Sequence, residues 1–298
     1  MSRIYSNNAI DFSRQLETLK NQGLIVRDDA DALRYLRSVS YFRFACYLKY
    51  FEVSPKVLAS DTRLDSVLLL YSFDNELKQL IYSAIQDIEI AIRTRVIHYV
   101  SLEQGTHWFM NTSVFDDAEM FSANLGKLQS ELSRSREEFI SEYYSDYDSP
   151  SMPPAWKTME VVSLGTLSKI YENLKTTPAK KQVARDFGLP QYTYLESWNR
   201  CLTVLRNCCA HHARVWNRRF TTKPILPTRL PLFWINNASR IKQHKLYAQL
   251  CYIAYMEQTI DPHCGFVNRL KSLLSRYPTI DLHAMGFPTG WESEPLWR

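Results

Sequence analysis

From residue 63 to residue 100 apolar side chains return every three or four positions: Val67, Leu70, Tyr71, Leu77, Leu80, Ile81, Ile85, Ile88 and Ile92. That period lays them along one wide face of a helix. A helix of such length must be covered along that face, so it reads as the central helix of the fold, broken once near residues 73–75. The same period recurs elsewhere, and only eight glycines occur in 298 residues. Helices should therefore dominate, and strands have little support. Further helices are predicted at residues 11–22, at 28–39 behind a cap at Asp28 or Asp29, and at 118–142, 155–174, 178–187, 192–214 and 236–259. A shorter one falls near 265–275. Residues 143–154, rich in Ser and Asp and closed by Pro150, Pro153 and Pro154, read as a loop, while Pro224, Pro227 and Pro231 impose an extended connection. The expected fold is all-α, with an N-terminal helical segment (1–60) packed on a main helical domain (61–260) and a C-terminal extension (261–298).

The longest apolar runs, at residues 67–71 and 250–256, are far short of the roughly 18 residues a membrane span needs. The N-terminus lacks the basic start, apolar stretch and small-residue cleavage site of a secretory signal. A cytoplasmic protein with no membrane contact is expected. Its six cysteines show no C-x-x-C spacing and should stay as thiols, with neither a disulfide nor a structural zinc. The glycine-rich dinucleotide and phosphate loops, His-Glu-x-x-His and Gly-x-Ser-x-Gly are all absent. No metal and no cofactor are expected.

Net charge is only +5, but its distribution carries more information than its total. No acidic residue lies between Glu196 and Glu257, a span that holds Arg200, Arg206, Arg214, Arg218, Arg219, Lys223, Arg229, Arg240, Lys242 and Lys245. The opposite bias appears over residues 116–148, where acids outnumber bases. An uncompensated basic stretch attracts polyanions, nucleic acid above all. The alternative is that the acidic segment folds against the basic one and cancels it.

Inside the basic stretch, residues 205–219 read Leu-Arg-Asn-Cys-Cys-Ala-His-His-Ala-Arg-Val-Trp-Asn-Arg-Arg. On a continuous helix Asn207, His211 and Arg214 share a face. Arg206 lies five residues before His211, about 140° around and about 7.5 Å along the axis, and must reach around to meet the same phosphate. The pair offers a titratable imidazole and a permanent cation. Arg93 and His98 repeat the five-residue spacing, and Glu89 stands one turn before Arg93. An i, i+4 ion pair explains Glu89 and Arg93; a role in orienting Arg206 or His211 is the sharper alternative. Cys208 and Cys209 read as small core residues rather than nucleophiles. His107 reads as a packing residue. Trp216 and Asn217 fix the helix end, or Trp216 stacks on a base. Residues 35–51 mix Arg37, Arg43 and Lys49, with Arg34 just before them, among aromatics, and core packing is favoured there over a single-stranded RNA surface.

The string Arg-Asn-x-x-Ala-His-His-x-Arg-x-Trp-Asn at 206–217 resembles the signature of AbiD/AbiF-like abortive-infection proteins of the HEPN superfamily. Residues 38–47, 88–95 with Gly105-Thr-His-Trp108, and 156–171 are similar to that family too, in its order, so the resemblance covers roughly residues 20–260. It implies a HEPN-like helical bundle and a metal-independent endoribonuclease, toxin-like and active in phage defence. The catalytic residues would be Arg206, Asn207 and His211, supported by His212, Arg214, Glu89, Arg93 and His98. RNA would be held by Arg200, Arg218, Arg219, Trp216 and Asn217. Cleavage by attack of the 2′-OH on the adjacent phosphate needs a proton acceptor, a proton donor for the 5′-oxygen and positive charge at phosphorus. One histidine does not readily fill both proton roles. A homodimer that joins two copies of the 206–211 segment would supply the second; His212, or Arg93 with His98, would complete the site within one chain. A regulatory RNA or protein partner is a further expectation. Two rival readings use the same residues without chemistry: a non-catalytic module that grips a structured RNA, and a protein-binding module.

Overall fold

A computed structural model describes residues 8–298. Among these the fold is all-α: twelve α-helices, several short 3-10 turns, and one two-stranded antiparallel hairpin, Glu52–Ser54 (β1) with Val57–Leu58 (β2). The chain divides into two compact units. The first runs to Leu77 and adds Leu273–Ile280; the second comprises Lys78–Ser272 and Asp281–Arg298.

In the first unit, α1 (Phe12–Asn21) starts at Asp11, whose carboxylate accepts the Arg14 N–H at 2.8 Å. Asp28 likewise caps α2 (Asp29–Val39) by accepting the Ala30 N–H at 2.8 Å. Each cap satisfies a backbone donor that a helix start leaves without a partner. α3 (Tyr41–Leu48) follows, and Leu16, Leu19, Leu36, Phe44 and Tyr47 form the core with Val67, Leu70 and Phe73 from the start of α4 (Leu64–Gln104). The aromatic run near residue 44 thus packs inward, although Phe42 remains exposed.

α4 passes residues 73–75 without the expected break. Polar groups there find tertiary partners instead of opening the helix. The Tyr47 hydroxyl donates to the buried Asp74 carboxylate at 2.6 Å. Glu76 accepts from the Tyr277 hydroxyl and pairs with Arg276, both at 2.5 Å.

The second unit holds the remaining helices: α5 (Ala118–Arg134), α6 (Glu138–Asp146), α7 (Ala155–Val161), α8 (Leu164–Asn173), α9 (Pro178–Arg185), α10 (Tyr192–Ala210), α11 (Leu246–Ile260) and the larger part of α12 (Phe266–Arg276). The later stretch of α4 buries Ile81, Ile85, Ile88, Ile92 and Val96, yet leaves Ile90 and Leu102 exposed. The helix with no exposed side is α11, in which every residue from Leu246 to Glu257 is buried. A helix apolar around its whole circumference belongs in a core, so α11 takes the central place that the sequence assigned to residues 63–100. Trp198 of α10 stacks on Tyr252 of α11 with ring centroids 5.4 Å apart and donates its indole N–H to the Ile225 carbonyl at 2.8 Å.

Three further boundaries differ from expectation. Residues 118–142 form two helices with a break at 135–137, 155–174 breaks at 162–163, and α11 begins ten residues later than the 236 start expected for it. Among the described residues no helix is long and apolar enough to cross a membrane.

One buried carboxyl carries a measurable consequence. Glu257 is 1% exposed, and neither carboxyl oxygen meets a hydrogen-bond partner among the described residues. Burial, helped by Asp87 and Asp261 and opposed by Arg269, pushes its pKa up to about 7. The folded state therefore favours the protonated acid. Stability from this group is fully present below the unfolded value near 4.5 and is lost as pH rises through about 7. The loss is roughly 3 kcal/mol at 1.4 kcal/mol per pK unit. Glu257→Gln, neutral at every pH, is expected to raise the melting temperature above pH 7 and to flatten its decline between pH 5 and 8. Equal melting temperatures for the two proteins at pH 8 would show that the carboxyl is solvated.

Candidate functional site

α10 buries Leu195, Trp198, Leu202, Leu205 and Cys209 and turns Arg200, Thr203, Val204, Arg206 and Asn207 toward α8 and the surrounding clefts. It ends at Ala210, four residues before Arg214. The Ala213 N–H donates to the Cys208 carbonyl at 2.9 Å and the His212 N–H to the Cys209 carbonyl at 3.1 Å. With His212 at φ 55°, this is a Schellman motif, which places a left-handed residue one position past the cap. Glycine commonly takes that position, and the histidine here masks the stop. The shared helical face expected for Asn207, His211 and Arg214 is therefore not formed: His211 is the cap residue, and Arg214 lies beyond the turn.

Arg206 is half-buried on the wall shared by two cavities, of about 410 Å³ and about 830 Å³. Its guanidinium carbon lies 5.9 Å from the centre of the Tyr82 ring. It makes no hydrogen bond and no ion pair among the described residues. Asn207 is exposed and lines the smaller cavity. His211 is exposed and lines neither.

Arg93 is in the opposite condition. It is 6% exposed, pairs with Glu89 at 2.7 Å, and donates to the Val162 carbonyl at 2.9 Å and to the Met159 carbonyl. The ion-pair reading of Glu89 and Arg93 holds, and Arg93 has its donors committed to the end of α7. His98 is exposed, sits edge-on to Tyr99, and lines neither cavity. The pair at 93 and 98 is thus not assembled as a second arginine and histidine facing Arg206.

The break between α7 and α8 is held by two opposite charges. Arg93 takes carbonyls at the end of α7, and Glu131 of α5 accepts from the Ser163 N–H at 2.9 Å, the Ser163 hydroxyl at 3.0 Å and the Thr166 hydroxyl at 2.9 Å. A cation at a helix C-terminus and an anion at an N-terminus both complement the helix dipole. Ser163, fixed between them, lines both cavities with Arg206.

The remaining residues named from sequence divide by accessibility. Trp216 is 0% exposed, so it packs in the core and is not available to stack on a base. Asn217, at φ 48°, accepts from the Lys245 ammonium at 2.9 Å. Arg218 donates to the Arg214 carbonyl at 3.4 Å, and Arg200 pairs with Glu172 at 2.6 Å. Arg219, Lys223, Lys242 and Lys245 surround His244; burial and these four cations hold its pKa below the usual imidazole range. Cys208 and Cys209 are buried, and burial pushes the Cys208 thiol up, away from the thiolate a nucleophile needs. Among the described residues no three His, Cys, Asp or Glu side chains gather as a metal site.

Several site residues escaped the sequence reading: Tyr82, Lys127, Glu131, Ser163 and Lys169. Ser163 and Lys169 lie in a segment already noted as family-like, which was the available signal. Lys127 sits in the segment read as acidic, so its contribution to a basic cleft had none.

No curated protein and no solved structure matches the chain. The model of the Abi-like protein family matches residues 34–217, more than half of the sequence and inclusive of Arg206, Asn207 and His211. The chain belongs to the Abi-like family, which points to a role in abortive infection.

Proposed function

We propose that this protein is a metal-independent HEPN-type endoribonuclease acting in abortive infection, with Arg206 and His211 as its catalytic pair. The observation that carries the reading is the state of Arg206: a half-buried guanidinium facing two clefts with its donors uncommitted, while the other arginine of the same spacing is fully engaged. A planar fork of this kind suits a phosphoryl group. In the reaction the 2′-oxygen attacks phosphorus and gives up its proton, the 5′-oxygen leaves and takes one, and the products end in a 2′,3′-cyclic phosphate and a 5′-OH. Arg206 neutralises charge on the crowded phosphate, and His211 moves a proton.

His211 is exposed at the helix end and lines neither cleft that Arg206 borders. That placement supports a homodimer in which a second copy brings its 206–211 segment to the same phosphate. Full-length protein incubated with total RNA in EDTA is expected to give fragments with cyclic phosphate ends, and His211→Ala to give none. Intact RNA with the wild-type protein overturns the reading. Salt-sensitive RNA retention without cleavage would transfer the site to a non-catalytic RNA-binding module. The cations around His244 would serve that role equally well.

A further inference from the structure

The two cavities bordered by Arg206 differ in charge. The larger is balanced: Glu89, Glu131, Glu137 and Glu160 face Arg93, Arg134, Arg136 and Arg206. The smaller, between α8 and α10, holds Lys127, Lys169, Arg200 and Arg206 against Glu172 alone. Glu172 is itself paired with Arg200 at 2.6 Å. Lys127 and Lys169 are exposed and carry no ion pair among the described residues. A cleft with three uncommitted cations draws an anion, and its low-dielectric walls focus that field.

Shape and lining narrow the class of anion. Where α8 and α10 meet, a Cβ on Gly165 would lie 3.4 Å from the Thr203 methyl. That is ordinary van der Waals contact, so the two helices lie close at the floor of the cleft while a small side chain would still be tolerated there. About 410 Å³ lies within the usual range of small-ligand sites; it accommodates a single nucleotide and excludes a duplex. The remaining lining combines four hydroxyl side chains (Ser163, Ser168, Thr203 and Thr222) and the Asn207 amide with the aliphatic Leu164 and Val204, and none of the lining residues is aromatic. Such a lining hydrogen-bonds a sugar and a phosphate but offers no stacking platform for a base.

We propose that the α8–α10 cleft is a nucleotide subsite, which seats one nucleotide of single-stranded RNA with its phosphate on Lys127 and Lys169. The subsite deepens the endoribonuclease reading and rests on it for its use: a nucleotide seated there lies next to Arg206. The substrate class is then single-stranded RNA with little base preference at this position.

Uridine 3′-monophosphate, adenosine 3′-monophosphate and inorganic phosphate, titrated into the full chain by calorimetry, test the proposal. Both nucleotides are expected to saturate one site per chain with similar affinity and to bind more tightly than phosphate. Lys127→Gln with Lys169→Gln is expected to weaken them about tenfold or more, the loss of two charge-assisted contacts. Lys49→Gln with Lys56→Gln, the same charge change on exposed residues of the other unit, controls for net charge and should bind as wild type does. Absence of saturable binding, equal affinity for inorganic phosphate, or an unchanged Lys127/Lys169 variant overturns the subsite. Nucleotide binding that depends on these lysines while RNA stays intact leaves the subsite standing and removes the nuclease. RNA cleavage that the double variant performs with wild-type KM does the reverse.

Discussion

Arg206→Ala is expected to slow RNA cleavage by about 10²- to 10³-fold, the usual cost of removing one preorganised donor from a developing oxyanion, with little change in stability. The expectation of a normal fold follows from how little the side chain does for it. Among the described residues Arg206 makes a single ring contact, to Tyr82 at 5.9 Å, and a contact of that kind contributes no more than about 1 kcal/mol at a partly exposed site. Arg206→Lys should not restore the rate, because an ammonium presents a point charge where the guanidinium presents a fork. The two variants together separate chemistry from architecture. Melting temperatures within a few degrees of wild type and a rate fallen by two orders of magnitude place Arg206 at the phosphate. A rate unchanged in Arg206→Ala would remove the residue from the reaction, and with it the reason for assigning catalysis to this helix.

Periodicity made the helices legible, whereas most of their ends were not. The apolar face of α4 could be read from Val67 to Ile92, but the buried Asp74 within it accepts from the Tyr47 hydroxyl, a partner from another helix that no local pattern announces. The end of α10 is hidden for a different reason: a histidine occupies the left-handed position where glycine would have marked the stop. That single substitution of signal removed Arg214 from the face on which the sequence had put it. The site divides in the same way. Arg206 and His211 are neighbours in sequence and were visible as a motif. The cleft beside Arg206 is assembled from α5, α8 and α10, and a charge run read along one segment cannot count cations supplied by another. Arg93 shows the converse: equal spacing to a histidine, but burial and two carbonyl partners make it part of the frame.

Replacing Arg93 by methionine is expected to destabilise the second unit by about 3–5 kcal/mol, the cost of stranding the partner of a buried ion pair. Three groups lose their donor at once. Glu89, only 17% exposed, keeps a charge with no cation at 2.7 Å, and the Met159 and Val162 carbonyls at the end of α7 lose the guanidinium. Methionine fills much of the volume, so the loss reports charge and hydrogen bonding rather than a cavity. Adding Glu89→Gln should recover part of the deficit by removing the stranded carboxylate, and the remainder measures the two carbonyls. Chemical denaturation of the wild type, both single variants and the double variant closes the cycle. A loss below about 1 kcal/mol for the methionine variant, the range of an exposed pair, would mean that solvent reaches these groups and that Arg93 does not hold the α7 end. Activity adds a second readout, because the α7–α8 break positions Ser163 on the wall shared with Arg206. Loosening it should impair cleavage in the folded fraction of the methionine variant, and the double variant, which still lacks the guanidinium at the α7 end, should regain part of the stability with little of the activity.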